Sequence, residues 1–202
     1  MKMRLLYILT CLLFFPVTSA WPAGDAVAGK QKTQICLACH GPAGASTSPV
    51  WPKLAGQHAR YIQKQLNDFK SGKRKNAQMS PMTATLSKED IDDVAAYYAA
   101  QKPDIGVAKP DHLSLGEKLY RAGNPKTRMA ACMACHSPNG AGNPAARYPM
   151  LRGQHAEYVA TTLKAFKAES RNNDQNGIMR NIASKMTNAE IEAVSNYIQG
   201  LH

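Results

Sequence analysis

The chain has 202 residues, a formal net charge of +11 at pH 7 and a hydrophobic content of 44%. The basic excess is scattered, with Lys73-Arg74-Lys75 as its longest run. It therefore reads as a surface that steers toward acidic partner patches or anionic headgroups, and nucleic acid is excluded as a partner.

At the start, Lys2 and Arg4 precede an apolar run from Leu5 to Phe15, followed by Thr18, Ser19 and Ala20. This pattern predicts a secretory signal over residues 1–20, cleaved after Ala20, with Ala23 as the alternative site, and hence a periplasmic protein. The run is short for a permanent anchor. A lipidated Cys11 and an uncleaved anchor are the rival readings. Loss of Lys2 and Arg4 lowers the net charge from +11 to +9. About 180 residues remain, enough for two small domains or one medium one.

The periodicity after the leader predicts a short helix, then Cys36-Leu37-Ala38-Cys39-His40, then a loop containing Pro42, Gly44 and the segment Trp51-Pro52-Lys53-Leu54-Ala55-Gly56-Gln57-His58. A middle helix is expected from His58 to Lys70, then a loop carrying Met79 and Met82, then a closing helix. Ser87, with Asp90 three residues on, gives that closing helix a capping box. Residues 101–112, with Pro103, Gly106 and Pro110, read as an extended linker.

The second half repeats the first at an offset that grows from 96 to 100. Cys132-Met133-Ala134-Cys135-His136 is followed by Pro138 and Gly140, then by Tyr148-Pro149-Met150-Leu151-Arg152-Gly153-Gln154-His155. A middle helix is expected from His155 to Glu169, and Thr187 with Glu190 forms the second capping box. No strand pattern appears. The fold class is all-α, in two tandem domains over 21–100 and 113–202, each too small for a helical core to be comfortable unless something apolar is buried inside it. The halves differ in two places: Gly116 to Cys132 spans 16 residues against 7 for Gly29 to Cys36, and three more residues are inserted around 171–176.

Two thiols two residues apart can add to the two vinyl groups of one porphyrin, and the histidine that follows is carried beneath the iron. The string CxxCH therefore predicts one covalent haem c at Cys36, Cys39 and His40 and a second at Cys132, Cys135 and His136. Two disulfides or a zinc site would be the other uses of four cysteines. Both CxxCH strings consume all four, and the adjacent histidine sits too close for a tetrahedral set.

These residues resemble class I cytochromes c, and specifically the di-haem cytochrome c4 family, over essentially the whole chain after the leader. The resemblance implies two class I cytochrome c domains that face each other with their haems close enough for internal electron transfer.

A carrier iron needs a sixth ligand, and the methionine candidates are Met79, Met82, Met150, Met179 and Met186. Counting back eight residues from Ser87 and Thr187 lands on Met79 and Met179, the one register that is methionine in both halves. Met82 remains the rival in the first half, and Met150 reads as packing. The resemblance also places the axial ligand at this register. Pro52 and Pro149 are the natural carbonyl acceptors for the second ring nitrogen of His40 and His136. The resemblance implies the same role for them, with Leu54 and Leu151 packed on the porphyrins. Trp51 and Tyr148 read either as pocket walls or as core packing, and His58 and His155 as surface or capping residues.

The resemblance further implies an electron carrier, not an enzyme, that runs between a quinol-oxidising complex and a haem-copper terminal oxidase, and the basic surface permits loose attachment to anionic membrane. The rival functions are a di-haem subunit of a flavocytochrome-type dehydrogenase complex and a di-haem peroxidase. Unequal loops also imply two unequal reduction potentials.

Overall fold

The computed structural model describes residues 24–202, so the expected leader and its cleavage site lie outside the described residues. Among the described residues the regular structure is helical, apart from the isolated bridges Asn124–Met129 and Asn143–Tyr148. The first half comprises α1 (Ala26–Lys32), α2 (Leu37–His40), α3 (Ala59–Lys70), α4 (Met79–Ala84) and α5 (Lys88–Ala99). The second comprises α6 (Leu113–Ala122), α7 (Met133–His136), α8 (Ala156–Lys167), α9 (Ile178–Ser184) and α10 (Asn188–Gln199). In each half the closing helix packs on the first and middle helices, and the middle helix also packs on the short one after it.

The expected middle and closing helices are present, with His58 and His155 at the N-cap positions of α3 and α8. Both capping boxes form. Ser87 Oγ accepts from Asp90 N at 3.0 Å while the Asp90 carboxylate accepts from Ser87 N at 2.8 Å. Thr187 and Glu190 repeat the exchange at 3.2 and 2.7 Å. One expectation needs correction: the methionine segments read as loops are helical, as α4 and α9. In the first half, Asn76 Oδ1 accepts from Gln78 N at 3.0 Å and Met79 N at 2.8 Å, which satisfies amides that would otherwise be unpaired at the start of α4.

The crossing of first and closing helices depends on a missing side chain. A Cβ on Gly29 would lie 2.1 Å from Asp93 O, and one on Gly116 would lie 2.2 Å from Ala193 O, with Tyr97 and Tyr197 beside them. Gly29→Ala and Gly116→Ala are each expected to cost about 1–3 kcal/mol by forcing the helices apart. Chemical unfolding of the two variants checks this.

Charge secures α1 as well. Lys32 Nζ bridges Asp90 Oδ1 at 2.6 Å and Asp93 Oδ2 at 2.9 Å. Hydrogen bonds from Lys32 hold both carboxyls below the usual range and raise the lysine in turn. A carboxylate depressed in the folded state stabilises above its unfolded value near 3.9, and that contribution is lost as pH falls below about 4 toward the folded value. In the second half, Leu119 and Ala193 occupy the places of Lys32 and Asp93. Amide exchange below pH 4 should therefore open α1 before α6, and the reverse order would contradict this assignment.

The linker runs extended against both halves. Pro103 packs on Gly56, Asp104 and Ile105 on Gly153, and Gln199 Nε2 donates to Val107 O at 2.8 Å.

Candidate haem sites

Cysteine, cysteine and histidine at i, i+3 and i+4 share one face of a helical turn. That is the arrangement of Cys36, Cys39 and His40 around α2, and of Cys132, Cys135 and His136 around α7. Among the described residues neither cysteine pair is closed as a disulfide. Burial pushes the Cys36 thiol up and that of Cys132 to about 11.

His40 and His136 are each 7% exposed. Nδ1 of His40 lies 2.9 Å from Pro52 O, and Nδ1 of His136 lies 2.9 Å from Pro149 O. A carbonyl can only accept, so each Nδ1 carries the proton and each Nε2 presents a lone pair. Among the described residues neither Nε2 has a hydrogen-bond partner. Burial depresses both imidazoles, against the pull of the proline carbonyls, and so favours the neutral ring. Neutral imidazole with its second nitrogen tied down is the form that ligates a metal.

Around these groups the second half is the more complete. Cys132, Leu151 and Met179 all pack against one core formed by Leu119, Tyr120, Leu163, Met186, Ile191 and their neighbours. In the first half Cys36 and Leu54 pack against a smaller core of Ile62, Val94, Ala95, Tyr97 and Tyr98. Met79 is half-buried at the start of α4 and lies outside that cluster. Met82 is 44% exposed, Met186 is core at 3%, and Met150 meets the other half through its backbone. Tyr148 walls the second site, its ring 6.2 Å from that of His136, while Trp51 is half-buried. The residues present fit one haem c per half: two free thiols for thioether bonds, a buried imidazole with an open Nε2, an apolar lining and a methionine.

The sequence reading missed the residues that make the contact between the halves. His58 and His155 stand at N-cap positions, as expected, but they are half-buried and make no side-chain cap bond. His58 Nε2–H donates to Ala141 O at 2.7 Å, and His155 Nε2–H donates to Ser46 O at 2.8 Å. Each Nε2 being a donor, neither ring offers it to iron. Beside them Gln57 and Gln154 each pair with backbone of the opposite half. The insertion around 171–176 is likewise no simple loop. Arg171 and Asn173 are buried against Tyr61, Gln65 and Asp68 of the first half, and Lys64 pairs with Asp68 and Asn173 O. Burial raises the Tyr158 phenol, but Arg74 and Arg171 outweigh it and bring it down to about 8.

The cytochrome c family model matches residues 26–101 and 114–202, one match per half. Cytochrome c4 of Azotobacter vinelandii is 48% identical over 206 residues, covering 96% of this chain and 98% of that one. The crystal structure of reduced recombinant cytochrome c4 from Pseudomonas stutzeri superposes with a TM-score of 0.87 at 48% identity, over 89% of this chain and 100% of that one. A thiosulfate dehydrogenase electron acceptor of Stutzerimonas stutzeri is 39% identical over 80% of this chain and 76% of its own. Paired CxxCH turns, a helical domain around each and these similarities over nearly full length place the chain in the cytochrome c4 family of di-haem electron carriers, with one covalently bound haem c per domain.

Proposed function

We propose that this chain is a periplasmic carrier that takes electrons from a quinol-oxidising complex and passes them toward a haem-copper terminal oxidase. Cys36 and Cys39 hold one haem and Cys132 and Cys135 the other. His40 and His136 would hold the irons through Nε2, Met79 and Met179 would supply the second ligands, and Leu54 and Leu151 would line the porphyrins. The observation that carries this reading is the buried imidazole in each half whose Nδ1 is fixed by a proline carbonyl at 2.9 Å, leaving Nε2 as the nitrogen with a lone pair to offer. With both a histidine and a methionine available to hold each iron, a bound haem would supply electron transfer and would leave no position for substrate, which separates this reading from a peroxidase. No helix among the described residues is long and apolar enough to cross a membrane, and the net basic surface suits loose attachment to anionic lipid.

The test is stopped-flow electron transfer with purified complexes. The account expects reduction by the quinol-oxidising complex and oxidation by the terminal oxidase, both slowing as ionic strength rises. Transfer with neither complex would contradict it. The thiosulfate dehydrogenase electron acceptor among the relatives favours a second reading, with a dehydrogenase as donor. Faster reduction by such an enzyme than by the quinol-oxidising complex would select it.

A further inference from the structure

The two halves are joined by a reciprocal pair of amide clamps, and each clamp closes on the backbone N–H and C=O of a single residue. Gln154, in the second half, accepts from Lys53 N at 3.0 Å and donates through Nε2 to Lys53 O at 2.9 Å. Gln57, in the first half, accepts from Met150 N at 2.9 Å and donates to Met150 O at 2.9 Å. Both glutamines are buried, at 5% for Gln57 and 9% for Gln154. Each is held in place by its neighbour, since His58 N donates to Gln57 Oε1 and His155 N to Gln154 Oε1, both at 3.0 Å.

Lys53 N and Pro52 O belong to one peptide group, as do Met150 N and Pro149 O. The carbonyl of each group is the acceptor for the proximal histidine of its own half, at 2.9 Å. A trans peptide is a planar, conjugated unit with N–H and C=O on opposite sides. An acceptor on its N–H polarises the unit, places more negative charge on its oxygen and strengthens the bond that oxygen receives, by roughly 10–30% per link in such chains. A stronger pull on Nδ1–H makes the imidazole a more basic ligand and favours the ferric iron.

We propose that Gln57 and Gln154 are positioning residues that act across the domain boundary. The second half's Gln154 sets the proximal ligand of the first haem through the 52–53 peptide, and the first half's Gln57 sets that of the second haem through the 149–150 peptide. The proposal rests on the reading of His40 and His136 as proximal ligands. Each haem is thus tuned by the opposite domain. Docking the halves is part of building both sites, and a partner that shifts the interface shifts both potentials.

Gln57→Met and Gln154→Met, close in volume and without the amide, test this on the holoprotein. The readouts are potentiometric titration and paramagnetic NMR, with haem methyls and histidine rings assigned to each half. Gln154→Met should raise the reduction equilibrium constant of the first haem about threefold and shift the His40 ring, leaving the second haem nearly unchanged. Threefold corresponds to about 28 mV at 59 mV per tenfold for one electron. Gln57→Met should do the reverse. Each variant moving the haem of its own domain, both haems moving equally, or neither moving would overturn the relay. If a Met variant fails to load both haems, Gln→Asn at the same position carries the same test, because it withdraws the amide by one methylene and keeps it polar. The reading beneath the proposal is tested apart, in the unsubstituted protein: low-spin haems with hyperfine-shifted His40 and His136 rings support it, and their absence would fail it without reference to the clamps.

Discussion

Replacing Cys36 and Cys39 together by alanine is expected to leave the first half unfolded while the second half stays folded around its haem. The reason is the size of the two cores. Five buried residues make up the apolar cluster of the first half and twelve that of the second. A domain holds a margin of only about 5–15 kcal/mol, and in the first half the porphyrin stands in for much of the missing core. Because a group bound only by the folded state contributes its binding energy to folding, loss of the tethers removes most of that margin. Cys132→Ala with Cys135→Ala should be milder, leaving a partly ordered helical domain. Circular dichroism, limited proteolysis and haem content report both outcomes. A first half as protease-resistant as the wild type in the Cys36/Cys39 variant would show that its helices pack without the haem.

Met179→Ala and Met79→Ala should each abolish the methionine-to-iron charge-transfer band of one ferric haem, convert that haem to high spin, and lower its reduction potential. The drop should be on the order of 0.1 V, within the range of about 0.8 V that axial ligands span. Loss of the thioether removes a soft ligand that favours ferrous iron. Met179→Ala should also cost about 2 kcal/mol, because Met179 packs against its core cluster and Met79 does not. Met82→Ala should leave both bands intact, since Met82 faces solvent at 44% exposure. Retention of the band in Met79→Ala, with its loss in Met82→Ala, would move the assignment to the rival.

The sequence carried the covalent chemistry almost completely, because CxxCH is its own geometry: residues at i, i+3 and i+4 share a face whatever lies around them. The repeat carried the domain order, the middle and closing helices and both capping boxes, since these are local decisions. It did not reveal α4 and α9, short helices whose ends rest on particular polar contacts such as that of Asn76 with Met79 N, and not on an apolar period. The domain interface was hidden for a different reason. Gln57-His58 and Gln154-His155 stood in plain view as repeated pairs, but their partners lie 83 to 109 residues away. A polar residue repeated at a helix start reads as a cap when no distant backbone is in sight. Repetition of the dipeptide in both halves was the one available signal, because a local cap does not require the same glutamine and histidine twice. The insertion around 171–176 was legible only as a difference in length between the halves, whereas Arg171 and Asn173 are buried by satisfying one another and Gln65.

The most direct test of the whole account is the intact mass of the protein purified from its host, with a tryptic map of its CxxCH peptides. The account predicts a mass increased by two haem groups, one on the peptide containing Cys36 and Cys39 and one on that containing Cys132 and Cys135. A mature chain carrying one haem or none, or a disulfide within either pair, would contradict it.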